Sequence, residues 1–491
     1  MLIMIRPFYL FILLITHVAA AEMVRLQINV NDRQGKPVPC RVHLANAMGE
    51  PVKAAGLPFF RDHFTCEGRV VLNLQPGKYT YAVERGPEFE RLSGTLTLKE
   101  GEPQILKLSI GRIAYLRKAG WFSGDLHVHR PLKDINRLMR AEGLDFAPVI
   151  TWWNKRNMWA GKAHPEAGED EREGGALIFH RLKRPINITK ASREVPSPMC
   201  YVEALRAREP GAWIDIEKPF WWDVPVWLAS GKMNSIGLAN NHMCRSQMLA
   251  SEAWGKPRDA KRLPAPRGNG FWTQEIYYHL LNTGLRLPPS AGSASGVLPN
   301  PVGYNRVYVQ LDGKFSSDAW WQGLAAGRCF VSNGPMLLVK ANSHWPGAVI
   351  KNAKPQAIRI ELDLASWDRI PHLEIIQNGK VIQQVACTKA RHQKRTVEIT
   401  PKKSGWFLVR AIADNPKTFR FASTGPFYVE IGTTKRHISR VSTQFFLDWV
   451  DERIGRVRKN IADENERKQV LEYHLAARRW WSKRLSESNA Q

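Results

Sequence analysis

Beyond its first twenty residues, this chain of 491 residues has no apolar run long enough to span a bilayer, which excludes a membrane-spanning helix there. Cysteine is scarce as well. Six in a chain of this length do not make a disulfide scaffold, and none stand at metal-type spacing. Cys40 and Cys66 flank two predicted neighbouring strands and form the expected pair, while Cys200, Cys244, Cys329 and Cys387 read as buried thiols. Acidic residues are outnumbered, 45 against 71 Lys and Arg, for a formal net charge of +26. With 44% hydrophobic and 24% charged residues, the composition excludes a disordered chain. The length predicts about three domains.

What is present at the start is an apolar run from Phe8 to Ile15, preceded by Arg6 and followed by Val18-Ala19-Ala20-Ala21. That layout predicts a signal peptide over residues 1–21, cleaved near Ala20 or Ala21, and an exported protein, periplasmic or extracellular. Export makes nucleic acid a poor partner for the basic balance. Anionic glycans, the acidic cell envelope or phosphorylated substrates fit it better.

Over residues 22–111, alternating runs such as Val24 to Val30 and Val70 to Leu74 are broken by turns such as Asp32 to Pro37, which predicts a small β-sandwich. Its "G-K-P-V-P" and "L-Q-P-G-K-Y" segments resemble those of carboxypeptidase-regulatory-like sandwiches. Over residues 112–338, strand-like runs (Phe146 to Thr151, Ala176 to Phe179, Ala212 to Ile216, Ser235 to Ala239, Arg306 to Val309) alternate with helical ones (Lys133 to Glu142, Pro198 to Arg208, Thr273 to Asn282). The fold class is therefore α/β, and repeated β-then-α units predict a parallel sheet closed as a barrel. Trp152, Trp153, Trp221 and Trp222 fall just past strand ends and are candidates for a cleft wall. Alternation returns over 339–432, predicting a second β-sandwich. Residues 433–491 read as a helical hairpin with Phe445, Phe446, Trp449, Ile454 and Leu471 as its inner stripe.

The chemistry centres on Gly124-Asp125-Leu126-His127-Val128-His129-Arg130-Pro131. On a strand, residues i and i+2 face the same way, so His127 and His129 can aim both imidazoles at one point as a half-site for Zn²⁺, Mn²⁺ or Fe. Asp125 would orient a ligand from behind. Reactive groups of an α/β barrel sit at the carboxyl ends of its strands. Those ends supply Trp153 and Asn154, Glu169 and Glu171 in a charged run, Asp215 and Glu217, and Asn240-Asn241-His242. The small-residue run Ser290 to Gly296 is either a tight turn or an anion-binding loop, and His279, inside a helical run, reads as structural. The expected metal ligands are His127, His129, Glu217 and His242, with Glu169 or Asp215 as general base. Arg130, Lys155 and Arg245 would hold an anionic group beside Trp153 and Asn154.

"G-D-L-H-V-H" opening a β/α region resembles the first motif of the PHP (polymerase and histidinol phosphatase) superfamily. The flanking sandwiches and Ala325 to Pro335, "A-A-G-R-C-F-V-S-N-G-P", resemble its CehA/McbA metallohydrolase subgroup. The likeness covers most of residues 112–430. It implies a distorted (β/α)7 barrel with up to three metals that hydrolyses phosphoesters or other ester-like bonds. His127 and His129 match the first metal pair and Glu169 the bridging acid. The chain departs from the pattern elsewhere. Thr151-Trp152-Trp153-Asn154 stands for Thr-Asp-His-Asn, Glu217-Lys218-Pro219 for the His-Pro strand end, and Ser293-Ala294-Ser295-Gly296 for Ser-Asp-x-His.

The expectation is therefore a hydrolase of a phosphoester, ester or amide bond with a reduced site of one or two divalent ions, Zn or Mn. Its substrate would be a small molecule or glycan of anionic character. The alternatives are a noncatalytic PHP-like protein binding an anionic or neutral glycan in a Trp-rich cleft, and a structural relic whose sandwiches mediate interactions. Convergence of His127, His129 and His242 in space separates the first reading from the others.

Overall fold

The structure is a computed structural model that describes residues 22–157, 167–434 and 436–491; the predicted signal peptide lies outside them. The chain is a mixed α/β protein, with strands in several sheets and seven α-helices among the described residues. None of those helices is long and apolar enough to cross a membrane.

Two sheets, of five and three strands, share one core at the beginning of the chain. Val24, Leu26, Ile28 and Val30 alternate inward along Val24–Asn31 and meet Val42, Leu44 and Val83 of the facing sheet. Cys40 and Cys66 lie directly opposite each other on adjacent antiparallel strands, as free buried thiols with sulfurs 3.7 Å apart.

A seven-stranded sheet follows, in the order Arg156–Asn157, Ile150–Trp153, Ala167–Arg172, Gly175–His180, Trp213–Ile216, Ser235–Ala239, Pro289–Ala291. The sheet is not wholly parallel, contrary to the β-then-α reading. Ala167–Arg172 and Gly175–His180 form an antiparallel hairpin, and Gly175–His180 is also antiparallel to Trp213–Ile216. The charged run Gly168 to Arg172 is thus a strand, and the chain reverses through Glu173-Gly174 instead of a helix. Glycine is required there: a Cβ on Gly174 would fall 2.2 Å from the Asp223 carboxylate, and Gly175 has φ +122° with a Cβ position 2.2 Å from Trp221.

Arg306–Gln310 and Cys329–Ser332 lie outside that sheet. They continue a nine-stranded sheet whose far strand is Trp121–Gly124. Tyr308 and Phe330 of this sheet share a core with Met336–Ala341 and Ile358–Ala365 of a three-stranded sheet. The motif strand is therefore anchored in the sheet system of the C-terminal half. After Gly124 the chain crosses to the seven-stranded sheet as an extended segment. Leu126 N–H donates to Ala291 O at 3.0 Å, His129 N–H to Ser295 O at 2.8 Å, and Ile150 N–H to Val128 O at 2.8 Å. His127 and His129 sit on this crossing, not on a regular strand, but its extended backbone keeps the period of two. The helices Arg440–Asn460 and Glu464–Ser486 close the chain, with Phe446, Trp449 and Ile454 in the main core and Phe445 and Leu471 packed against it.

Candidate metal centre

Two imidazoles and three carboxylates converge where the crossing segment meets the seven-stranded sheet. His127, His129 and Glu169 form one set, and Glu169, Glu171 and Glu217 a second; within each, donor atoms lie within 4.8 Å of one another. The strand period explains the carboxylates. Glu169 and Glu171 alternate onto one face of Ala167–Arg172, while Asp170 points to the other and pairs with Arg172. Glu217 follows Trp213–Ile216, and its N–H donates to Ala176 O at 3.2 Å, one strand over.

His127 Nε2 lies 3.0 Å from His129 Nε2 and 3.5 Å from Glu169 Oε1, while its Nδ1 lies 3.2 Å from Glu217 Oε1. Burial alone would lower the basicity of His127, but Glu169 and then Glu217 hold it up at about 10. His129, also buried, is pushed down, so its imidazole is neutral. Its Nδ1 and the Glu169 Oε2 atom are both buried without a hydrogen-bond partner among the described residues. His129 Nε2 and Glu169 Oε2 stand 3.2 Å apart but are not aligned for a hydrogen bond. The unpartnered Glu169 Oε2, beside two imidazoles in a carboxylate-rich centre, fits a hard or borderline divalent cation. Burial, then Glu169 and Glu217, raise Glu171 to about 7.

Beside the cluster lies a cavity of about 500 Å³ lined by Trp153, Lys155, Arg156, Glu171 and Ile188, among others. Glu171 faces both. Trp153 separates them: its ring centroid is 5.0 Å from that of His129, and its indole N–H donates to Glu171 Oε2 at 3.0 Å. Lys155 and Arg156 are exposed at the rim.

Several expected site residues fall elsewhere. His242 is not part of either donor set, so the expected convergence of three histidines is met by His127 and His129 alone, with carboxylates in place of the third. The Nδ1 of His242 pairs with Ser251 O at 2.9 Å, and burial pushes the imidazole down to about 3. Asp215 lies under the cluster, held by Ser235 and by Ser290 Oγ at 2.5 Å, and burial raises it to about 7. Arg245 forms an ion pair with Glu84 of the N-terminal sheets, so it is not free to hold a substrate. The Asn154 amide is spent on the backbone of Glu171, accepting from its N–H at 2.7 Å and donating to its O at 2.8 Å. Arg130 stacks over Phe60 of the N-terminal sheets at 4.6 Å.

Asp125 does not touch an imidazole. It accepts the backbone N–H groups of His127 (3.1 Å), Ser293 (3.0 Å) and Gly303 (2.7 Å), pinning the motif from below. The run Ser290 to Gly296 packs directly against the two histidines. A Cβ on Gly292 would stand 2.4 Å from His127 Cβ, and one on Gly296 2.4 Å from His129 O. Sequence reasoning places Glu171 among the strand-end candidates but gives it no role, and misses Lys218 as a site residue; the i, i+2 spacing of Glu169 and Glu171 signals their shared face. A third donor set, His43, Asp62 and His63, is already bonded: Arg41 Nε donates to His43 Nε2 at 3.0 Å, which leaves the His43 proton on Nδ1, toward Asp62.

No family model matches the sequence, and no curated protein does. Among solved structures, the CARDB domain of a Pyrococcus furiosus protein, solved in complex with di-metal ions, is 18% identical over 20% of this chain and 96% of its own, with a TM-score of 0.14. The Bacillus anthracis TIE protein is 9% identical over 84% of this chain and 51% of its own, with a TM-score of 0.15. The chain therefore spans about half the length of the TIE protein. Likeness at these scores assigns neither fold family nor function.

Proposed function

We propose that this chain is an exported, PHP-like metal-dependent hydrolase that cleaves a phosphoester, ester or amide bond of a small anionic substrate at a reduced metal site. The observation that carries the reading is the convergence of His127, His129 and Glu169 with Glu171 and Glu217 next to a cavity. A distorted barrel is supported by the crossing segment, whose backbone bonds to both Ala291 and Ile150 of the seven-stranded sheet. A divalent ion held by His127, His129 and Glu169 would supply Lewis acidity toward a phosphoryl or acyl oxygen. Glu171, touching both cluster and cavity, takes the proton of the attacking water. Lys155 and Arg156 draw the anionic group to the rim. Trp153 is the one aromatic side chain among the described cavity-lining residues.

Dialysis against a chelator, followed by Zn²⁺ or Mn²⁺, tests the reading with p-nitrophenyl phosphate, bis(p-nitrophenyl) phosphate and p-nitrophenyl acetate. Hydrolysis of at least one is expected in the metal-loaded protein, lost on chelation and restored by the metal. Metal-loaded protein inert toward all of them would speak against it.

A further inference from the structure

Glu217 and Glu169, the two carboxylates that flank His127, are bonded very differently. Both oxygens of Glu217 are occupied: Oε1 takes the Lys218 ammonium and the Asn241 amide at 2.9 Å, and Oε2 the Trp221 indole N–H at 2.8 Å. Glu169 keeps Oε2 without a hydrogen-bond partner among the described residues. Lys218 itself is 2% exposed, with its Nζ 4.5 Å from the centroid of the Trp221 ring, so it is sequestered and held from two sides.

We propose that the Lys218 ammonium stands in for a second metal ion, so that the centre takes one divalent cation, at His127, His129 and Glu169. The inference rests on the metal-dependent reading above. Charge supports it. With His127 and His129 neutral as ligands and a bound cation holding Glu171 in its ionised form, the three glutamates carry three negative charges and Lys218 returns one. One divalent ion brings this buried centre to neutrality. A second would leave two uncompensated positive charges in a desolvated site, at a cost no bond here offsets. The second donor set, Glu169, Glu171 and Glu217, therefore already holds a protein cation, at Glu217. Lys218 acts as a positioning residue: it fixes Glu217, and through the Glu217 contact it fixes the Nδ1 side of His127.

The test counts metal. Metal-free wild type, Lys218→Met, Lys218→Gln and Lys218→Arg are each loaded with excess Mn²⁺ or Zn²⁺, desalted and measured by elemental analysis, with thermal melts to check folding. Wild type and Lys218→Arg should retain one equivalent, and the two neutral variants two. Two equivalents in wild type, or one in both folded neutral variants, overturns the assignment. None in wild type overturns the metal-dependent reading beneath it, a distinct result. Should the neutral variants fail to fold, electron paramagnetic resonance of wild type at saturating Mn²⁺ decides alone. An uncoupled spectrum supports a single ion, and an exchange-coupled pair contradicts it.

Discussion

Alanine at Arg453 should lower the unfolding free energy by about 3–5 kcal/mol, the usual cost of leaving buried charges without their partner. The guanidinium is 1% exposed and reaches back from Arg440–Asn460 to the seven-stranded sheet region. Its Nε donates to Asp223 at 2.7 Å, and its two terminal nitrogens grip Glu194 at 2.7 and 3.3 Å. His474 of the last helix adds a bond to Asp223 at 3.2 Å. Burial alone would raise the Asp223 carboxyl, but Arg453 and then His474 hold it well below the usual carboxylate range. A depressed carboxyl contributes stability that is present above its unfolded value and lost as the pH falls through the folded one. The variant should therefore lose most at neutral pH and least in acid. Arg453→Lys, which keeps the charge but not the two-pronged grip, should fall between. Urea unfolding of Arg453→Ala and Arg453→Lys at neutral and acidic pH measures this. A loss under about 1 kcal/mol for the alanine variant would mean that the network is not a tether.

His127→Ala should cost metal and activity together, weakening metal binding by more than the roughly 10–100-fold typical of losing a mere supporting group. Through one ring this side chain touches both Glu169 and Glu217. In the metal-free protein it has a second role, as the proton that balances them. Its folded value of about 10 exceeds the ordinary 6.5, so its stabilising contribution is fully present below about 6.5 and disappears as the pH rises through about 10. Metal-free wild type should therefore exceed His127→Ala in stability below about pH 6.5, with the gap closing toward about pH 10. Full activity in the variant, or a gap independent of pH, would remove His127 from both roles.

The longer helices are legible in the sequence: Pro198–Arg208 begins and ends where its pattern predicts, with Ser197 capping it through the Met199 N–H, whereas the short Val224–Ala229 and Ser317–Ala325 are not read there. The HxH pair is legible because the period of two survives on any extended backbone. The hairpin at Glu173-Gly174 is not. Its first strand is polar because it faces a charged centre, and local polarity reads as a loop. His242 and Asp125 look like ligand and orienter by spacing alone, but hydrogen bonds to distant backbone, at Ser251 and at Ser293 and Gly303, decide what they do. Arg245 and Arg130 read as free cations because nothing local pairs them. Their partners, Glu84 and Phe60, lie in the N-terminal sheets, far away in sequence.

Titration of the metal-free wild type with Mn²⁺ or Zn²⁺, at about pH 6 and about pH 8, tests the central claim most directly. A cation at His127 must displace the proton held there, so affinity should tighten by roughly tenfold per pH unit for each proton released. The account predicts uptake of metal at both pH values, tighter at the higher one and lost in His127→Ala. No uptake at either would contradict it, and would make the cluster a charge network balanced by its own His127 proton and Lys218.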